Sequence, residues 1–126
     1  ATLGRLDRMD GALESVIRSL TDRGLVARYF GMIAILFNRT GRTRLARRFF
    51  DAALAEARVI RPLSRRTFVL CDMALVLDRA GCTAKGQEVM GFAVDAATGI
   101  RQFRDRDEVF DNLAAAMRWM QGERMA

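Results

Sequence analysis

Two thiols, one run of carboxylates and two groups of arginines are the side chains in this chain whose types and spacing could do chemistry. Histidine is absent, which removes the side chain best suited to proton transfer near neutral pH. Cys71 and Cys82 stand eleven positions apart. A zinc site wants about four nitrogen or sulfur ligands, so two buried, reduced thiols are the expectation instead. Cys82 falls in an expected turn and is the more exposable of the two. No base stands near it in sequence, so it is not read as a nucleophile. Asp105, Asp107, Glu108 and Asp111 form the acidic cluster. Asp105 followed three positions later by Glu108 has the spacing of a capping box, and a helix start accounts for the cluster without a metal. No catalytic residue, metal site or cofactor is expected, and the chain is not read as an enzyme.

The arginines are the remaining chemistry. The formal net charge is +6, and Lys85 is the one lysine. Residues 1–66 carry 14 basic and 6 acidic groups, and residues 67–126 carry 7 and 9. Arg42, Arg44, Arg47 and Arg48 gather at the start of an expected third helix, with Arg58, Arg61, Arg65 and Arg66 at its far end and beyond. Guanidinium forks suit phosphate, so a face built on Arg44, Arg47, Arg48, Arg65 and Arg66 is an alternative surface for a polyanion or nucleic acid. Aromatic groups for base stacking are missing from it, because Phe49 and Phe50 fit the buried pattern. A solvated face partly paired with Asp51 and Glu56 is the plainer account, and nucleic acid is not the expected partner.

The elements that must position these groups are all helical. A chain of 126 residues, half of them apolar, suits one domain with a real core. No apolar run reaches the roughly 18 residues of a membrane span, and a cytoplasmic setting is expected. Leu6, Met9, Leu13, Val16, Ile17 and Leu20 keep helical spacing, with Asp7 placed to cap them. Asp22 and Gly24 punctuate the chain before a second helix, Val26 to Asn38, that is apolar on several sides. The third helix, Arg44 to about Ile60, turns Leu45, Phe49, Phe50, Ala53, Leu54 and Ala57 inward and Glu56 outward, and Pro62 is expected to end it. Ser64 or Thr67 can start the fourth. The fifth runs from Ala84 to about Thr98, and a sixth opens at Asp105 with Val109, Phe110, Leu113, Ala114, Met117 and Trp119 as its apolar residues.

These helices repeat. Phe30, Ala34, Phe37, Gly41, Ala46, Phe50, Ala53 and Leu54 recur forty positions later as Leu70, Ala74, Leu77, Gly81, Gly86, Met90, Ala93 and Val94. Gly41 and Gly81 suit the left-handed position that ends a helix, with Thr43 and Thr83 as caps of the next. Met9, Leu13, Val16 and Ile17 match the second half of a unit, and Phe110, Leu113, Ala114 and Met117 match the first half of one. The reading is a half unit at 4–21, repeats at 27–60 and 67–100, and a half unit at 105–121.

This pattern resembles the tetratricopeptide repeat family, which pairs a large apolar residue, alanine or glycine, and an aromatic on one helix with alanine, phenylalanine and alanine on the next. The first copy matches closely and the second more loosely. The spacing of forty departs from the family's roughly 34 residues by an insertion around Arg61 to Arg66. The resemblance implies an all-α fold of about six helices stacked as antiparallel hairpins in an α-solenoid. It also implies a protein–protein interaction module whose concave groove is lined by the first helix of each pair. The family's groove positions fall on Arg28, Ile35 and Asn38, on Phe68, Leu75 and Asp78, and on Asp111 and Arg118. The lysine and asparagine of the family's carboxylate-binding members are replaced here by Gly31 and Ile35, so the expected ligand is an apolar or amphipathic segment. Plain core is the competing account of Ile35 and Leu75. Half units with open apolar faces, around Leu13 and Ile17 at one end and Phe110, Met117, Trp119 and Met120 at the other, lead to the further expectation of a fragment of a longer repeat protein or assembly, or of a homo-oligomer joined through the solenoid ends.

Overall fold

The structure, a computed structural model, describes residues 11–19 and 22–125, and among them it contains six helices and no strand. Helix α1 covers 11–18, α2 Arg23–Arg39, α3 Thr43–Ala57, α4 Leu63–Arg79, α5 Thr83–Thr98 and α6 Phe103–Met125. The start of the first half unit, with the expected cap Asp7, lies outside the described residues. The chain forms two compact units, Ala1–Glu56 and Ala57–Ala126.

In the first unit α2 begins at Asp22, whose carboxylate accepts from the Gly24 and Leu25 amides at 2.8 and 3.3 Å. It ends at Gly41, with φ +78°. Phe49 of α3 lies 5.7 Å from Phe30 and 5.4 Å from Phe37 between ring centroids, so the aromatics of α2 and α3 close the hairpin. In the second unit α4 and α5 pair in the same way, and α6 lies against both. Gly81 repeats Gly41, with φ +86°.

The repeat is physical as well as textual. Thr40, Gly41 and Arg42 donate to the carbonyls of Leu36, Asn38 and Phe37, and Ala80, Gly81 and Cys82 donate to those of Val76, Asp78 and Leu77. Every bond moves by forty residues. From 43 to 60 and from 83 to 100 the succession of buried, half-buried and exposed positions is the same. The tightest approach sits where the pattern asks for a small residue: a Cβ built on Gly86 would stand 3.1 Å from the Ala74 carbonyl oxygen and 3.3 Å from the Asp78 nitrogen. A Cβ on Gly41 or Gly81 would meet nothing within 4 Å, so alanine there costs only backbone strain. Gly81→Ala is expected to lose about 1 kcal/mol in urea unfolding, with Gly41→Ala alike.

Several boundaries and facings differ from expectation. α3 ends at Ala57, well before Pro62, and Pro62 takes the cap position of α4. Thr67 lies one turn inside α4, buried, with its hydroxyl donating to the Leu63 carbonyl at 2.8 Å. Arg42 and Cys82, not Thr43 and Thr83, precede α3 and α5. α6 begins at Phe103, so Asp105 is a first-turn carboxylate favoured by the helix dipole and not the cap. On α6 Met117 and Trp119 are exposed, as an open face requires, but Met120, expected open with them, is buried beside Val109, Leu113 and Ala116, and Ile17 of α1 is buried too. Glu56, expected to face outward, is 7% exposed. Its carboxylate receives Arg18 at 2.8 Å and Arg23 at 2.7 Å, and this pairing is what lets a charge be buried there.

Candidate functional site

The expected groove residues divide between the units. In the first, Arg28 and Asn38 are exposed on α2, but Ile35 is only 7% exposed and offers little to a ligand. The exposed apolar row of α2 is a neighbouring one: Leu25, Tyr29, Met32 and Leu36, spaced four, three and four along one helical face. This row was readable in the sequence, and the adjacent row of Phe30, Ala34 and Phe37 hid it by making the whole helix look like core.

In the second unit the expected residues lie on two helices that touch. Phe68, Leu75 and Asp78 are half-buried on one face of α4, and Asp111 and Arg118 are exposed along α6. The Arg79 guanidinium stands 4.9 Å from the centre of the Trp119 ring. Arg79 lies at the end of α4, and α6 packs against that helix. α4 therefore carries an apolar strip, and the neighbouring α6 carries an exposed tryptophan stacked under Arg79, with Asp78, Asp111 and Arg118 on the same two helices. Aromatic and arginine side chains of this kind anchor protein interfaces. Trp119 was expected on an open apolar face but not among the groove residues, because its place beside Arg79 depends on which side of α6 the other helices take.

Cys71 lies on the same face of α4 but beneath it, buried. Burial, with the Asp72 charge beside it, pushes its thiol up to about 11. Burial thus holds Cys71 as the thiol near neutral pH, whereas Cys82 is half-exposed. A thiol-reactive dye is expected to label Cys82 first, with Cys71 at least about tenfold slower. Equal rates would contradict the packing of α4.

The arginines of the alternative basic face belong to both units and are partly engaged. Arg44, Arg47 and Arg48 are exposed on α3 in the first unit, with Arg48 bound to Glu14 at 2.7 Å. Arg65 and Arg66 belong to the second, where Arg66 donates from Nε to the Ile60 carbonyl at 2.9 Å. Arg58 stacks 4.9 Å from the Phe92 ring centre. Arg58 and Arg66 share with Leu63, Leu70, Phe92 and Asp95 the lining of a hollow of about 290 Å³. Glu14 shows what such pairing does: desolvation pushes its carboxyl up, but hydrogen bonds from Arg18 and Arg48 outweigh this and hold it below its usual value. Its contribution to folding is therefore present above the ordinary carboxylate range and fades as pH falls through the lowered value. Among the described residues, no three histidine, cysteine or acidic side chains are grouped to hold a metal ion, and no helix is long and apolar enough to cross a membrane.

The fold and surface define a class: an all-helical protein built on a repeated two-helix hairpin. Comparisons with protein-family models, with curated proteins and with solved structures return no match.

Proposed function

We propose that this chain is a tetratricopeptide-like interaction module, and that it binds an amphipathic protein segment along the first helices of its second unit. The observation that carries the reading is the contact of α4 with α6, marked by Arg79 over the exposed Trp119 ring. Half-buried Phe68 and Leu75 on α4 supply the apolar strip, and Asp78, Asp111 and Arg118 of the same two helices supply the charged rim of the proposed site. Apolar side chains of a ligand would cover the strip, and its charges would meet the rim. The protein acts by holding a partner, without chemistry of its own.

Trp119 is the sole tryptophan, so its emission reports on occupancy directly. Capture of partner proteins on the immobilised chain, followed by titration of the captured segment as a peptide, is expected to shift that emission toward the blue. The double variant Phe68→Asp, Leu75→Asp, checked for retained helicity, is expected to lose at least about tenfold in affinity. Undiminished binding by a folded double variant would remove this site.

A further inference from the structure

The hollow of about 290 Å³ lies wholly within the second unit, and none of its lining belongs to the proposed binding strip. Its wall from α5 is where the two copies of the hairpin part company. Positions 43–60 and 83–100 share one order of burial, yet Phe92, Asp95, Ala96 and Gly99 of the hollow stand where the first copy has Ala52, Ala55, Glu56 and Val59. The hairpin forms with either set, so the second set is not required to build it. Gly99 makes the room. A Cβ there would come within 2.9 Å of Leu63 Cδ1, so a larger residue must displace a side chain that is itself part of the wall.

Both signs of charge line this space. Arg66 is held by its Nε at the Ile60 carbonyl, 2.9 Å away, which leaves its terminal nitrogens to a ligand. Arg58 lays its guanidinium over the Phe92 ring at 4.9 Å, and its N–H edge stays open. Among the described residues neither arginine is ion-paired, and the Asp95 carboxylate has no hydrogen-bond or ion-pair partner. The geometry points to a pocket for a free α-amino acid with an apolar side chain. The arginines receive its carboxylate through charge-assisted hydrogen bonds, Asp95 takes its ammonium, and Leu63, Leu70 and Phe92 cover its side chain. The space equals that of about ten waters, which suits a molecule the size of leucine. Phosphate would satisfy the arginines but meet the Asp95 carboxylate, whereas a zwitterion uses both.

The test follows the amide resonances of the full chain during titration with L-leucine. Saturable shifts at the residues around the hollow are expected, half-complete below about 10 mM. N-acetyl-L-leucine lacks the ammonium and L-leucinamide lacks the carboxylate, and each is expected to bind at least about tenfold more weakly, as is inorganic phosphate. Asp95→Ala and Gly99→Val place the first copy's small or branched residue in the second copy, and each is expected to keep its helicity and lose leucine by the same factor. Asp95 is exposed, so its variant decides the matter should Gly99→Val unfold. A chain that gives no saturable response to leucine overturns the proposal. So does N-acetyl-L-leucine or phosphate binding as tightly as leucine, which would make the hollow a site for a chain end or a bare anion, and so does undiminished binding by folded Asp95→Ala.

Discussion

Gly86→Leu is expected to cost about 3 kcal/mol or more, a large part of the 5–15 kcal/mol that holds a typical domain together. The reason is what surrounds the glycine. A Cβ at this position already comes within 3.1 Å of the Ala74 oxygen and 3.3 Å of the Asp78 nitrogen, and these are backbone atoms of α4 that cannot rotate away. A branched side chain has to push α5 off α4, which exposes the hairpin's interior, including Leu70, Met73, Leu77, Val89 and Met90. Gly86→Ala separates the two contributions. It gains about 1 kcal/mol of helix propensity and loses a comparable amount by crowding, so its urea midpoint is expected to stay close to the parent's. A well-folded Gly86→Leu would mean that α4 and α5 do not approach here.

The second large effect concerns Glu56. Replacing both Arg18 and Arg23 by methionine leaves a carboxylate buried without its counter-charges and is expected to cost about 3–5 kcal/mol. Either replacement alone leaves the other arginine in place, at 2.7 or 2.8 Å, and is expected to cost about 1 kcal/mol. The double variant therefore exceeds the sum of the singles, a departure from additivity that a thermodynamic cycle reads directly. Methionine keeps the stem of Arg18 over the Phe30 ring, where the guanidinium now lies 5.2 Å from the centroid, so lost packing does not imitate lost charge. Glu56→Gln is the milder change, because the two arginines are half or more exposed and turn to water. Additive losses in the double variant would show that Glu56 reaches solvent once unpaired.

These two sites also mark what could be read from the sequence and what could not. The hairpin was legible, because its determinants are local. Gly41 and Gly81 supply a backbone conformation that other residues resist, and a small side chain at 34, 46, 74 and 86 is the signature of close helix contact. The burial of Glu56 was not legible. It depends on arginines 33 and 38 residues earlier in the chain, and no window along α3 contains them. The open faces were partly legible: Met117 and Trp119 are exposed as expected, while Met120 and Ile17, expected open as well, are buried, because burial is conferred by whichever helix packs beside a residue and type alone does not name it. Of the expected groove residues, Phe68, Leu75 and Asp78 share one face of α4 and Asp111 and Arg118 are exposed on α6, while Ile35 went to the core.

One spectrum bears on the central claim, that the same helical hairpin is built twice from residues 23–57 and 63–98. In a proton–proton NOE experiment the Ala34 methyl is expected to contact the Ala46 methyl, and the Ala74 methyl is expected to contact the Gly86 α-protons. Both contacts present, forty residues apart, is the predicted result. A folded protein lacking either one would contradict the repeat, and with it the register on which the proposed binding face is drawn.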